Sequence, residues 1–171
     1  MKKKSGYLIW ITGFSGSGKT RISKKIYQHI KQKLGPTILI NGDDLRKIFK
    51  LNDYSKTGRI KNSEKFTKLA KFITDQNINI VFAVVGMMNK PREWNRKNIK
   101  NYIEIFIDSD VKKIIKLNKK KIYQTNKKNI VGIDIKPEYP KNPDIRLKNN
   151  FKSDINKLSK KAIKKIDNIL K

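Results

Sequence analysis

Gly13-Phe14-Ser15-Gly16-Ser17-Gly18-Lys19-Thr20 is a complete Gly-x-x-x-x-Gly-Lys-Thr run, and its flanks decide what it means. Before it, Tyr7 to Thr12 is a short apolar stretch of β-favouring residues; after it, Ile22, Ile26, Ile30 and Leu34 recur at helical spacing within Arg21 to Leu34. Strand, glycine loop, helix is the setting in which such a run holds phosphates. Glycines let the backbone curl so that successive N–H groups point inward, and the helix behind presents its positive end. Lys19 is expected to reach the β and γ phosphates of ATP, and Thr20 to offer its hydroxyl to Mg²⁺. Gly13, Ser15, Gly16, Ser17 and Gly18 form the cradle around them.

Outward from the loop the pattern repeats. Gly35-Pro36 closes the helix, Thr37 to Ile40 reads as a second strand, and Asn41-Gly42-Asp43 follows it. A helix over Ser63 to Asp75 leads into Ile78 to Val85, a continuous β-branched run suited to a strand covered on both faces. A helix near Arg92 to Ile99, a strand at Tyr102 to Ile107 and a helix from Asp110 to Lys119 come next. Pro143 to Leu147 predicts a last strand, and Ser153 to Leu170 a terminal helix with Ile155, Leu158, Ala162, Ile166, Ile169 and Leu170 inward. Alternating strands and helices define an α/β fold of the P-loop NTPase type, a mainly parallel sheet with helices on both faces. The exception, Lys120 to Pro140, is rich in lysine, asparagine and proline and reads as a mobile lid. At 171 residues the chain is expected to form a single domain with one active site.

Composition narrows the chemistry. With no cysteine, thiolate metal sites and cysteine nucleophiles are excluded, which suits a reducing, cytoplasmic setting. Met1-Lys2-Lys3-Lys4 followed by Tyr7 to Ile11 is too short in its apolar part for a secretory signal, and no stretch approaches the roughly 20 apolar residues of a spanning helix. The formal charge of +28 would attract polyanions. Yet only six of the 42 basic residues are arginine, the lysines are spread along the chain, and no nucleic-acid reader motif is present. Attraction of a small anionic substrate is the simpler use of the charge, and dedicated nucleic-acid or membrane binding is not expected. Asn89-Lys90-Pro91-Arg92 lacks the aspartate of the G-protein base-reading motif, which leaves a small-molecule kinase as the better fit.

The loop together with Asn41-Gly42-Asp43-Asp44-Leu45-Arg46, Tyr54-Ser55, Arg59, Asn62, Ile133-Asp134 and Pro140-Lys141-Asn142-Pro143-Asp144 resembles the adenylylsulfate kinase family over nearly the whole chain. Members pass the γ-phosphoryl of ATP, with Mg²⁺, to the 3′-hydroxyl of adenosine 5′-phosphosulfate, usually as dimers. The resemblance implies a catalytic pair of Lys19 and Asp43, with Asp43 near the acceptor hydroxyl and, beside Thr20, the metal. It implies acceptor contacts from Arg46, Arg59 and Asn62 at the phosphosulfate end, from Tyr54 by stacking on the base, and from Lys120 and Ile130 in the lid. Guanidinium forks suit sulfate and phosphate oxygens, and in a lysine-rich chain each arginine is the less expected choice.

The departures from the family bear on the acceptor. Asn41 stands where the first aspartate of an Asp-Gly-Asp is usual, Gly86-Met87-Met88 replaces Ser-Pro-Tyr, and Leu117-Asn118 replaces an Arg-Asp. Ile130 takes the place of a lid phenylalanine that sandwiches adenine. Glu93-Trp94-Asn95-Arg96-Lys97-Asn98-Ile99 and Asn129-Ile130-Val131-Gly132-Ile133-Asp134 look more like a divergent branch associated with surface polysaccharide genes, which includes a kinase of cytidine diphosphoramidate. Adenosine 5′-phosphosulfate is the first expectation and cytidine diphosphoramidate the alternative. A catalytically silent nucleotide- or nucleic-acid-binding protein is the reading of another class. Trp94, Met87 and Met88 are expected to be packing residues, and His29 a surface residue with no role.

Overall fold

The structure is a computed structural model and describes residues 5–124 and 128–171. The first four residues and three residues of the expected lid lie outside the described residues. Five parallel strands, β1 (Tyr7–Thr12), β2 (Thr37–Asn41), β3 (Asn79–Ala83), β4 (Asn101–Asp108) and β5 (Ile145–Lys148), form one sheet in the order β2-β3-β1-β4-β5. β1 lies at the centre, with Ile9 opposite Val81 on one side and Ile103 on the other. The connection from β3 to β4 crosses over β1, so the chain changes direction across the sheet at the carboxyl end of β1, where α/β proteins bind ligands.

Alternation along β1 sends its side chains to two cores. Ile9 and Ile11 pack with Ile22, Ile26 and Ile30 of α1 (Lys19–Leu34) and with Leu158, Ala162 and Ile166 of α6 (Ile155–Ile169). Leu8 and Trp10 face Phe66 and Ala70 of α3 (Lys56–Thr74), with Leu45 of α2 (Gly42–Ile48) and Trp94 of α4 (Asn89–Asn98) at the rim. A third cluster sits over the carboxyl end of the sheet, where Phe14, Met87, Met88 and Phe106 meet Ile114 of α5 (Val111–Lys116) and Val131 and Ile135 beyond it. Helices therefore cover both faces, as the alternation of elements predicts.

Three expectations are corrected. Helix α3 begins at Lys56 rather than near Ser63, because the Ser55 hydroxyl caps it by accepting from the Gly58 N–H at 3.0 Å. Arg59 and Asn62 thus ride on a helix. The segment over 120–140, expected to be a mobile lid throughout, has a 3₁₀ turn at Lys121–Gln124, and Ile130, Val131 and Ile135 are buried. The Asp134 carboxylate accepts from the Ile130 N–H at 2.8 Å, and Glu138 N–H donates to Met87 O at 2.9 Å, which ties the second half to the body. Finally, Ile169 is exposed, since the buried stripe of α6 ends at Ile166.

This stripe sets a testable contrast. Ile166→Ala should destabilise the protein by about 2–5 kcal/mol in urea unfolding, whereas Ile169→Ala should change stability by no more than about 0.5 kcal/mol.

Candidate active site

The carboxyl ends of β1, β2 and β3 open into a cleft of about 1250 Å³. Its floor is the glycine loop. Gly13, Gly16 and Gly18 hold φ of 149°, 81° and 95°, values that favour glycine. A Cβ on Gly13 would lie 2.8 Å from the backbone oxygen of Ile107, so space also forbids a larger residue there, whereas at Gly18 the neighbour is the movable tip of Ile155, 2.8 Å away, and the positive φ is the constraint. Below the floor, Thr12 Oγ1 and Gly13 N both donate to Val85 O, at 2.5 and 3.2 Å. Ser15, Gly16, Gly18, Lys19 and Thr20 line the cleft. Ser17 is buried beneath them, its carbonyl accepting from the Asn149 amide at 3.0 Å.

The Lys19 ammonium donates to Gly13 O at 2.9 Å and Phe14 O at 2.7 Å, inside the curl. Burial pulls it down to about 7; Asp43 opposes this, while the charge of Lys120 adds to it. Lys120 thus belongs beside the phosphate loop, where its Cβ and that of Lys119 would lie 3.3 and 3.4 Å from a Cβ on Gly16. Tyr123, whose phenol burial raises to about 12, donates to Ser15 O at 3.0 Å and covers the loop from the same side.

Asp43 lies in the first turn of α2 and faces the cleft; the N-cap position is Asn41, so Asp43 is not spent on capping. Its carboxylate and the Thr20 hydroxyl on the opposing loop are hard oxygen donors of the kind Mg²⁺ accepts alongside phosphate oxygens and water. Among the described residues no group of three or more His, Cys, Asp or Glu could hold a metal ion.

A second cationic patch is built on Tyr54. Arg46 and Arg59 set their guanidinium carbons 4.7 and 5.4 Å from its ring centroid. Arg59 also donates from Nε to Tyr54 O and from Nη2 to Asn129 O, both at 2.9 Å, bridging α3 to the segment opposite. Burial and the repulsion of Arg46 lower its pKa. Two close guanidinium groups near a cleft favour an anion between them. Ile130 forms part of the opposite wall, an aliphatic surface facing this arm. Asn62 is corrected: it is buried and off the cleft wall, its amide reaching Asp53 O at 3.4 Å beneath the Tyr54 loop.

Residues 149–155 were missed. Asn149, Phe151, Asp154 and Ile155 close the cleft beside α1, with Lys119 Nζ 5.8 Å from the Phe151 ring centroid. Their signal was position: they follow a predicted strand at the carboxyl edge, as Asp43 does.

A phosphate-binding loop at the switch point of a parallel sheet, a half-buried cleft lysine and a second cationic arm across the cleft define a P-loop phosphotransferase. The family model for adenylylsulphate kinase matches residues 5–148, and the chain belongs to that family. It is 36% identical over 168 residues to the cytidine diphosphoramidate kinase of Campylobacter jejuni, covering 96% of this chain and 98% of the relative. It is 27% identical over 154 residues to the adenylyl-sulfate kinase of Pseudomonas aeruginosa, covering 86% and 79%. Its fold matches the Mycobacterium tuberculosis APS kinase solved in complex with AMPPNP and APS, with a TM-score of 0.83, 23% identity and coverage of 95% and 98%. The chain is therefore a kinase, and among its described residues no helix is long and apolar enough to cross a membrane.

The state of Lys19 gives a proton count. Its pKa near 7 leaves much of the amine neutral at pH 8, whereas triphosphate oxygens favour the ammonium and raise the pKa. Binding of ATP at pH 8 should take up close to one proton per site, and less at pH 6, where the amine is already charged. Titration calorimetry in buffers of different ionisation enthalpy measures the uptake, which Lys19→Ala should remove.

Proposed function

We propose that the protein transfers the γ-phosphoryl of ATP to the 3′-hydroxyl of a small nucleotide that carries a second anionic group. The observation that carries this reading is the facing of two anion sites across one cleft, Lys19 in the glycine loop and Arg46 with Arg59 around Tyr54. The loop amides and Lys19 hold the donor phosphates, and the arginine pair holds the acceptor's anion, which aligns the hydroxyl with the γ-phosphorus. Asp43 accepts the hydroxyl proton or orients the hydroxyl from the first turn of α2. Mg²⁺ held with Thr20 and Asp43 would supply neutralisation of phosphate charge. Tyr123 and the segment carrying Ile130 limit the entry of water that would compete for the phosphoryl group. We place the protein in the cytoplasm as one compact domain and expect a homodimer.

Adenosine 5′-phosphosulfate is the acceptor implied by the family. A second reading, cytidine diphosphoramidate, is favoured by a specific observation: the relative named for it matches from end to end at 36% identity, against 27% for the adenylyl-sulfate kinase above. The aliphatic wall at Ile130 supports it too, since a single-ring base needs less stacking surface than a purine.

Coupled ADP release with each acceptor tests both levels. Turnover with one of them supports the kinase reading, and no turnover with either, together with tight salt-sensitive RNA binding, would sink it. A kcat/KM ratio above ten in favour of the cytidine nucleotide assigns the second reading; a ratio below one-tenth assigns the first. Lys19→Ala should abolish turnover. Arg59→Ala should raise the acceptor KM at least tenfold with little change in the KM for ATP, and unchanged acceptor kinetics would remove the role given to Arg59.

A further inference from the structure

Beneath the cleft wall lies an ionic cluster, buried at Arg92 and Glu104 and reaching the surface at Glu138 and Lys56, that phosphoryl transfer does not itself use. The Arg92 guanidinium, 4% exposed, donates from Nη1 to Gly86 O at 2.7 Å and from Nη2 to Asn89 Oδ1 and Glu138 O at 2.5 and 2.9 Å. Its Nε faces Glu104 Oε1 at 3.1 Å. Glu138 is the second hub. Its N–H donates to Met87 O at 2.9 Å, one carboxylate oxygen accepts from the Asn89 N–H at 2.7 Å, and the other lies 3.3 Å from Lys56 Nζ.

These contacts run from the cleft wall to the acceptor arm. Gly86, Met87 and Met88 line the cleft, and Gly86 holds a φ of 52°. Lys56 opens α3, directly after the Tyr54-Ser55 cap and one turn before Arg59. A buried ion pair adds little net stability, because desolvation offsets the Coulomb attraction, so its value lies in the geometry it specifies. A planar five-donor fork can bind Gly86, Asn89, Glu104 and Glu138 at once, which a lysine cannot.

We propose that Glu138 and Arg92 are positioning residues for the acceptor, fixing the wall at Gly86 to Asn89 and, through Lys56, the start of the helix that carries Arg59. The proposal rests on the kinase reading above. The donor phosphates are held by the glycine loop, which meets this wall only beneath the floor, through Thr12 and Gly13, and is tied on its other sides to Tyr123 and Asn149. Disturbing Glu138 should therefore act on one substrate and spare the other.

Arg92→Ala strands Glu104 in the interior and risks unfolding the chain, so the test uses Glu138→Gln and Lys56→Gln, with Arg92→Lys as the conservative probe. Glu138→Gln should raise the acceptor KM five- to tenfold and leave the KM for ATP within twofold. Lys56→Gln should do the same to a smaller extent, and the double variant should be no worse than Glu138→Gln alone. Equal rises in both KM values, an unchanged acceptor KM, or additive effects overturn the proposal. Hydrogen exchange reads the anchoring without turnover. In Glu138→Gln the amides of Asn89 and residue 138 should exchange at least tenfold faster while those of Ile9 and Ile11 are unchanged. If the unaltered protein phosphorylates neither acceptor, the kinase reading fails, and unaltered exchange at Asn89 would separately overturn the anchoring.

Discussion

The cleft depends on the turn that the backbone makes after Thr12. Three chain segments converge there: β1 enters the glycine loop, the residues just after β3 contribute Val85 O as a shared acceptor for Thr12 and Gly13, and β4 brings Ile107 O to within 2.8 Å of where a Gly13 Cβ would stand. That crowding admits glycine alone and holds Gly13 at positive φ, from which the chain can fold back over Lys19. Because β1 is the central strand, the loop is braced on both sides by the sheet rather than hung from an edge. A loop fixed in this way can receive phosphates with little rearrangement on binding.

Charge completes the design at some cost to the free protein. Lys19 is desolvated, Lys120 repels it, and Arg46 and Arg59 repel each other across Tyr54. Asp43 is the acidic group acting on both Lys19 and Arg59, and therefore sits electrostatically between the two halves of the cleft. Anions placed beside Lys19 and between the two arginines would relieve both repulsions at once. The net charge of +28 adds a long-range attraction for such substrates, but salt screens it beyond about 8–10 Å, so selectivity depends on the short-range cationic arrangement.

The first four strands were legible because each is a largely apolar run bounded by turn residues, β5 because Ile145 and Leu147 alternate with Arg146 and Lys148, and the glycine loop because its spacing has a mechanical reason. What failed to show locally was made by distant contacts. The start of α3 carries Thr57, Gly58 and no apolar stripe before Phe66, so its first turns exist through the Ser55 cap and the ties of Lys56 and Arg59. Residues 130–135 look like loop in composition, yet Ile130, Val131 and Ile135 are buried, and a Cβ on Gly132 would lie 2.7 Å from Phe14. No window of neighbouring residues contains that information. Tyr54 and Arg59 came from resemblance rather than from pattern, and what the geometry adds is that the arginines contact the ring on which a base would be expected to stack.

A residue choice does mark the network that pattern reasoning overlooked. Lysine is the default cation of this chain, and arginine occurs six times. Arg46 and Arg59 stack on Tyr54; Arg92 forks to Gly86, Asn89 and Glu138; Arg96 pairs with Glu104 and Asp144 while lying over Tyr102. Arg146 lies over Phe106, donates to Pro140 O and pairs with Asp108, and Arg21 lines the cleft at the start of α1. Five of the six thus make planar contacts that an ammonium cannot reproduce, and they fall in two clusters, one around the acceptor arm and one beneath the wall and along β4 and β5. Where lysine serves for bulk charge, an arginine signals that direction matters. By that criterion the second cluster sets direction at the wall from Gly86 to Asn89, where packing of Met87 and Met88 on Phe14 and Phe106 supplies burial but no fixed angle for the backbone carbonyls that Arg92 holds.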